Sequence, residues 1–142
     1  MIDTAKWDLR FFQLAEHVAE WSKDPSTKVG AVLVGTTKNK VAFGYNGFPP
    51  GIADDERLED RPTKYKLIVH AERNAIYNAD FDPRGGTLYV TYPPCTECAK
   101  TIISVGIKRV VSTYIDGTKA WADDQLAAYE MMNEAGVELD YA

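Results

Sequence analysis

Cysteine and histidine are scarce in this sequence, with two of each in 142 residues. Two cysteines cannot build the disulfide framework of a small secreted domain, and a chain of this length can bury a core without one. Positive charge is also short: 16 Lys and Arg stand against 21 Asp and Glu, a formal net charge of −5. Polynucleotide binders ordinarily present a basic face, so a nucleic-acid partner is not expected. A small anionic ligand is compatible, because it needs only two or three placed cations. No apolar run approaches membrane-spanning length, and the opening MIDTAKWDLRFF has no basic stretch leading into an apolar one, so neither a membrane partner nor a secretory signal is expected. The expected setting is cytoplasmic and reducing. Repeats, low complexity and linkers are missing too, which predicts one domain over residues 1–142.

What is present reads as alternating helices and strands. Trp7, Phe11, Leu14, Val18 and Trp21 recur at spacings of four and three, which predicts a helix from about Thr4 to Ser22, ended by Asp24-Pro25. VGAVLV (29–34) and 41–45 read as strands joined by a polar turn over 36–40. Residues 46–66, with Gly47, Pro49, Pro50, Gly51 and Pro62, read as a long irregular loop, and such loops in compact domains are usually functional or mobile. A helix over about 69–79, a strand over 87–91, a helix opened by Pro93-Pro94 and closed at Gly106, a strand over 109–112, a helix over 122–135 and a strand over 137–140 follow. Helical crossovers between the late strands imply right-handed parallel connections. The fold expected is α/β, in α/β/α layers, with a mixed sheet of about five strands whose last strands are parallel.

The chemistry concentrates in His70-Ala71-Glu72 and, 25 positions after His70, Cys95-Thr96-Glu97-Cys98 behind Pro94. Alone, a C-x-x-C pair suits a structural zinc or a redox couple equally well, and an isolated HAE carries nothing. Together, one histidine and two cysteines are the donor set of a catalytic zinc, which keeps a fourth position open, and no third cysteine exists to close it. Both groups fall at predicted helix N-termini, where unpaired N–H groups and the helix dipole favour thiolates. Glu72, two positions from a ligand, is placed to exchange protons with a metal-activated water without binding the metal. The order H-x-E…P-C-x-x-C is the signature of zinc deaminases. His17, mid-helix, reads as an ordinary polar residue.

On these residues the chain resembles the cytidine-deaminase-like superfamily, and within it the deoxycytidylate (dCMP) deaminases. The likeness runs through DPSTKVGAVLV (24–34), GYNGFP (44–49), HAERNAI (70–76), LYVTYPPCTECAK (88–100) and GIKRV (106–110). A histidine first ligand disfavours the free-nucleoside cytidine deaminases, and the GYNG and HAExNA blocks favour the dCMP branch. The resemblance implies one Zn2+ per chain held by His70, Cys95 and Cys98, with Glu72 as acid/base. It implies substrate contacts from Asn46, Ala71, Ser26, Lys28 and Tyr114, with Ser26 and Lys28 near the phosphate. Asn46 alternatively serves a left-handed turn before Gly47, Lys28 a solvated surface and Tyr114 the core. Arg57, Arg61, Lys64 and Lys66 are expected to solvate the long loop, reaching a phosphate only if it folds over the site. The 48–66 segment carries no Cys or His for a second zinc. A homo-oligomer, a hexamer by resemblance, with dCTP and dTTP as effectors is implied, and Mg2+ only beside a bound triphosphate.

The reaction so implied is hydrolysis of dCMP to dUMP and ammonia, feeding dTMP synthesis, with Glu72 shuttling protons while zinc-bound water attacks C4. The rivals are a deaminase of dCTP or 5-substituted dCMP, a tRNA or polynucleotide deaminase, which the acidic composition opposes, and a zinc-stabilised binding module, which would need a fourth ligand and leave Glu72 idle.

Overall fold

Alternation of buried side chains along the strands divides the core into two layers on either side of one sheet. The computed structural model describes residues 4–142; the first three residues of the opening segment lie outside the described residues. In chain order the elements are α1 (Thr4–Ala19), β1 (Gly30–Val34), β2 (Val41–Tyr45), a 3-10 turn (Glu56–Leu58), α2 (Arg61–Leu67), α3 (Ala71–Asn78), β3 (Thr87–Val90), α4 (Thr96–Ser104), β4 (Arg109–Ser112), α5 (Ala122–Glu134) and β5 (Glu138–Tyr141). The strand order is β2-β1-β3-β4-β5. β1 is antiparallel to both β2 and β3, while β3, β4 and β5 are parallel, as expected of strands joined through α4 and α5.

Successive strand residues point to opposite faces. Ala31, Leu33, Leu88, Val90 and Val110 pack with Ala71, Ala75, Ala99, Ile102, Ala128 and Met132 of α3, α4 and α5. Val32, Val34, Tyr89 and Val111 pack with Phe11, Phe12 and Ala15 of α1. The result is the expected α/β/α sandwich. Gly30 and Gly44 set the closeness of the layers: a Cβ on Gly30 would run into Ala15 O of α1, and one on Gly44 into Ala75 N and Ala71 O of α3.

Two expectations are corrected. α1 stops as an α-helix at Ala19, because Trp21 N and Ser22 N bond three residues back, to Val18 O and Ala19 O, and tighten the last turn. The 46–66 stretch is not wholly irregular. Pro62, taken as a breaker, stands in the first turn of α2 behind Asp60, where a missing N–H costs nothing. Asp60 also accepts from the Thr63 hydroxyl. Among the described residues no helix is long and apolar enough to cross a membrane.

Candidate active site

The two chemical motifs meet because each begins a helix at the same edge of the sheet. His70 is the N-cap of α3 and Cys95 the N-cap of α4, both with extended backbone. Gly47 and Val69 exchange backbone hydrogen bonds at 3.1 and 2.8 Å, which ties the GYNG segment to the residue before His70. From α3, Asn74 Nδ2 donates to Tyr45 O and Asn78 Nδ2 to Phe43 O, both at 2.8 Å, clasping the helix to β2. Asp124 in the first turn of α5 accepts from Thr96 N at 3.0 Å and Thr96 Oγ1 at 2.9 Å, capping α4 from another helix. Arg73 bridges α3 to α4 through Glu97 O at 3.1 Å and Thr101 Oγ1 at 3.3 Å.

His70 Nδ1 lies 3.3 Å from Cys98 Sγ and 3.4 Å from Cys95 Sγ, and the three donor atoms fall within 4.8 Å of one another. Zinc–nitrogen and zinc–sulfur bonds of ordinary length at a tetrahedral angle separate N from S by about 3.5 Å. The donors are therefore spaced and typed for Zn2+. Three protein ligands are the complement of a catalytic rather than a closed structural site.

The electrostatics suit the same use. The Cys98 thiol hydrogen-bonds the Cys95 sulfur and, with help from His70, pulls the Cys95 pKa down to about 4. That contact and burial push Cys98 up, as expected for two thiols sharing a proton before a cation arrives. Hydrogen bonding to Cys95 raises His70 against the opposing effect of burial. Glu72 is 4% exposed in the first turn of α3. Burial lifts its carboxyl above the ordinary carboxylate range, which suits a group that must both take and return a proton.

A cavity of about 420 Å³ opens over this cluster, lined by His70, Ala71, Glu72 and Cys95 together with Ser26, Asn46 and Lys64. Its volume is that of a small-molecule site. Ser26, Asn46 and Ala71, expected from the sequence to contact a substrate, line this cavity. Asn46 is not in a left-handed turn, since no described residue other than glycine has positive φ. Instead its Oδ1 accepts from Val29 N at 2.9 Å and its Nδ2 donates to Thr27 O at 2.9 Å, which holds the 24–29 loop against the cavity. Lys28 is exposed and outside the lining. Tyr114 is 73% exposed, stacked on Tyr141 at 4.1 Å, and also outside it. Lys64, expected to solvate a loop, is 3% exposed and paired with Asp24 at 3.1 Å. Asp24, Asp124, Tyr65 and Trp121 also line the cavity and were missed, because pairings such as Asp24 with Lys64 leave no trace in local sequence. His17 is exposed beside Glu20, as expected.

Comparison with known proteins converges on one family. The model of the cytidine and deoxycytidylate deaminase zinc-binding region matches residues 5–114. A protein of Aliivibrio fischeri described as an uncharacterized deaminase in luxG 3'region is 42% identical over 140 residues, covering 96% of this chain and 94% of that one. The deoxycytidylate deaminase of Homo sapiens is 39% identical over 142 residues, covering 95% and 79%. Among solved structures, the dCMP deaminase of the cyanophage S-TIM5 in complex with dCMP and dUMP superposes with a TM-score of 0.77 at 24% identity, covering 100% of this chain and 99% of that one, a likeness of fold.

Proposed function

The chain belongs to the cytidine and deoxycytidylate deaminase family, and from that membership we propose that it hydrolyses dCMP to dUMP and ammonia. The observation that carries this is the pairing of a three-donor His70–Cys95–Cys98 cluster with a buried carboxyl, Glu72, on the wall of one cavity. The relatives named for deoxycytidylate supply the substrate class. Zn2+, when bound by His70, Cys95 and Cys98, supplies a Lewis acid that makes water nucleophilic at neutral pH.

The remaining work falls to this chain's own groups. Glu72 takes a proton from the attacking water and gives it to N3 of the cytosine ring as oxygen adds at C4. It then takes the proton of the new C4 hydroxyl and delivers it to the amino nitrogen, so that the C4–N bond breaks, ammonia leaves and the C4 carbonyl forms. Such positioned proton transfer is worth roughly 10² to 10⁴ in rate. Asn46 keeps the 24–29 loop fixed while Ser26 and Ala71 face the substrate. By the same membership the protein assembles as a homo-oligomer, a hexamer in this reading, with dCTP and dTTP as effectors. Sedimentation with and without dCTP reads both properties.

A turnover screen tests the substrate. The zinc-loaded protein is offered dCMP, dCTP, 5-methyl-dCMP, cytidine and deoxyadenylate, and dCMP should give the largest kcat/KM. A preference for dCTP or 5-methyl-dCMP would move the reading to those substrates. Turnover of deoxyadenylate alone would contradict it.

A further inference from the structure

We propose that Lys64, not Lys28, is the cation that receives the 5′-phosphate of the substrate. This rests on the dCMP reading above and names the residue that makes the site selective for a nucleotide over a nucleoside. Lys64 belongs to α2, in the segment that sequence alone reads as a solvated loop. That short helix lies against the cavity, and its lysine is 3% exposed and part of the cavity wall.

Burying an ammonium is costly unless it is paired and hydrogen-bonded. Lys64 Nζ has one hydrogen bond, to Asp24 Oδ1 at 3.1 Å, and lies 5.4 Å from the Tyr65 ring centroid. An ammonium carries three N–H donors, so donor capacity remains on the wall of the cavity. Asp24 is the better satisfied partner. Its Oδ1 also accepts from Ser26 N at 2.8 Å and Thr27 N at 3.2 Å, and its Oδ2 accepts from Asn46 Nδ2 at 3.4 Å. One carboxylate oxygen therefore gathers the Lys64 ammonium beside Ser26 and Thr27, two hydroxyl-bearing residues that line the same cavity. The result is a cation beside two hydroxyl-bearing residues of the cavity lining, the ammonium and both backbone N–H groups being gathered on one buried carboxylate oxygen.

Arg73 also lines the cavity, but Lys64 differs from the other cations near the site in being buried in the wall on a single carboxylate. The Arg73 guanidinium bonds Glu97 O and Thr101 Oγ1, and Lys28 is exposed outside the lining. With Asp24, Glu72, Glu97 and Asp124 also on the wall, a dianionic phosphate needs a local cation to enter at all. Lys64 is placed to provide it.

The test compares kcat/KM for dCMP and for deoxycytidine in the wild type, Lys64→Met and Lys64→Arg. A lost charge-assisted hydrogen bond predicts that the preference for dCMP over deoxycytidine falls roughly ten- to hundredfold in Lys64→Met. The loss should appear as a raised KM for dCMP, and Lys64→Arg should recover much of it. Because Lys64→Met leaves Asp24 with an uncompensated charge, Asp24→Asn/Lys64→Met is measured as well and must show the same lost preference. Equal losses on both substrates, a loss confined to kcat, or a double variant that regains the preference would overturn the assignment to Lys64. A wild-type protein that turns over deoxycytidine as well as dCMP would instead contradict the nucleotide reading, and this proposal with it.

Discussion

In the proposed reaction Glu72 carries both proton transfers, and its surroundings suit a carboxyl to that work. Burial at the base of the cavity penalises its anion, while the neighbouring His70 favours it. Burial thus raises the Glu72 carboxyl above its ordinary value, the direction that favours holding and returning a proton. Since Glu72 is outside the donor set, Glu72→Ala should keep the metal and the fold while dUMP formation falls at least about 10²-fold. Activity and metal content measured on one sample decide this: loss of zinc would recast Glu72 as a structural support, and retained turnover would remove it from the mechanism. The ligands behave differently. Cys98 is fully buried, so Cys98→Ala removes both a donor and the hydrogen-bond partner of Cys95. This variant should lose the metal, and its thermal transition should no longer respond to added zinc, as linkage demands of a protein that gains stability from binding.

The elements place these groups through a few contacts that sequence reveals unevenly. Both ligand motifs were legible because each is local: a donor at a helix N-cap followed by good helix formers, after a strand or a tight turn. The strands were legible for the same reason, their apolar runs being bounded by Gly, Pro and polar turns. α2 was not, because a seven-residue helix with Pro62 in its first turn and two exposed lysine or tyrosine neighbours has no apolar period to detect. Nor could the partners Asp24–Lys64, forty positions apart, or Thr96–Asp124, twenty-eight apart, be foreseen. The least visible contact is the close approach of α3 to β2 at Gly44, where a Cβ has no room against the α3 backbone. Gly44→Ala must push α3 outward and carry His70 and Glu72 with it. It should cost about 1–3 kcal/mol or more in urea unfolding and weaken zinc binding. A stable variant with unchanged zinc affinity would contradict this view of how the site is held.

Across the whole molecule, one charged cluster ties α1 to β3, β4 and β5 of the sheet it covers. Arg109 on β4 donates to both carboxylate oxygens of Asp8 on α1, at 2.8 and 2.6 Å, and to Asp140 on β5 at 2.7 Å, while Tyr89 on β3 donates to Asp8 at 2.7 Å. The Arg109 hydrogen bonds hold the Asp8 carboxyl below its ordinary value despite burial. A carboxyl depressed in the folded state contributes stability above its unfolded pKa of 3.8 and loses that contribution as pH falls through the lower folded value. Arg109→Met should therefore cost about 1.5–3 kcal/mol at pH 7, and less at an acidic pH, because the contribution is lost as pH falls through the lowered folded value of Asp8. Urea unfolding at the two pH values reads the difference, and an equal cost at both would show that the cluster contributes through packing alone. The proposed deamination of dCMP rests on one zinc per chain, held in a site built from two helix N-termini. Its most direct test removes the metal with a chelator, returns zinc in measured steps, and follows bound zinc and dUMP formation together. dUMP formation should rise in proportion to zinc and saturate at one ion per chain. Saturation at two ions, deamination that persists in the metal-free protein, or a fully loaded protein that leaves dCMP intact would contradict the account.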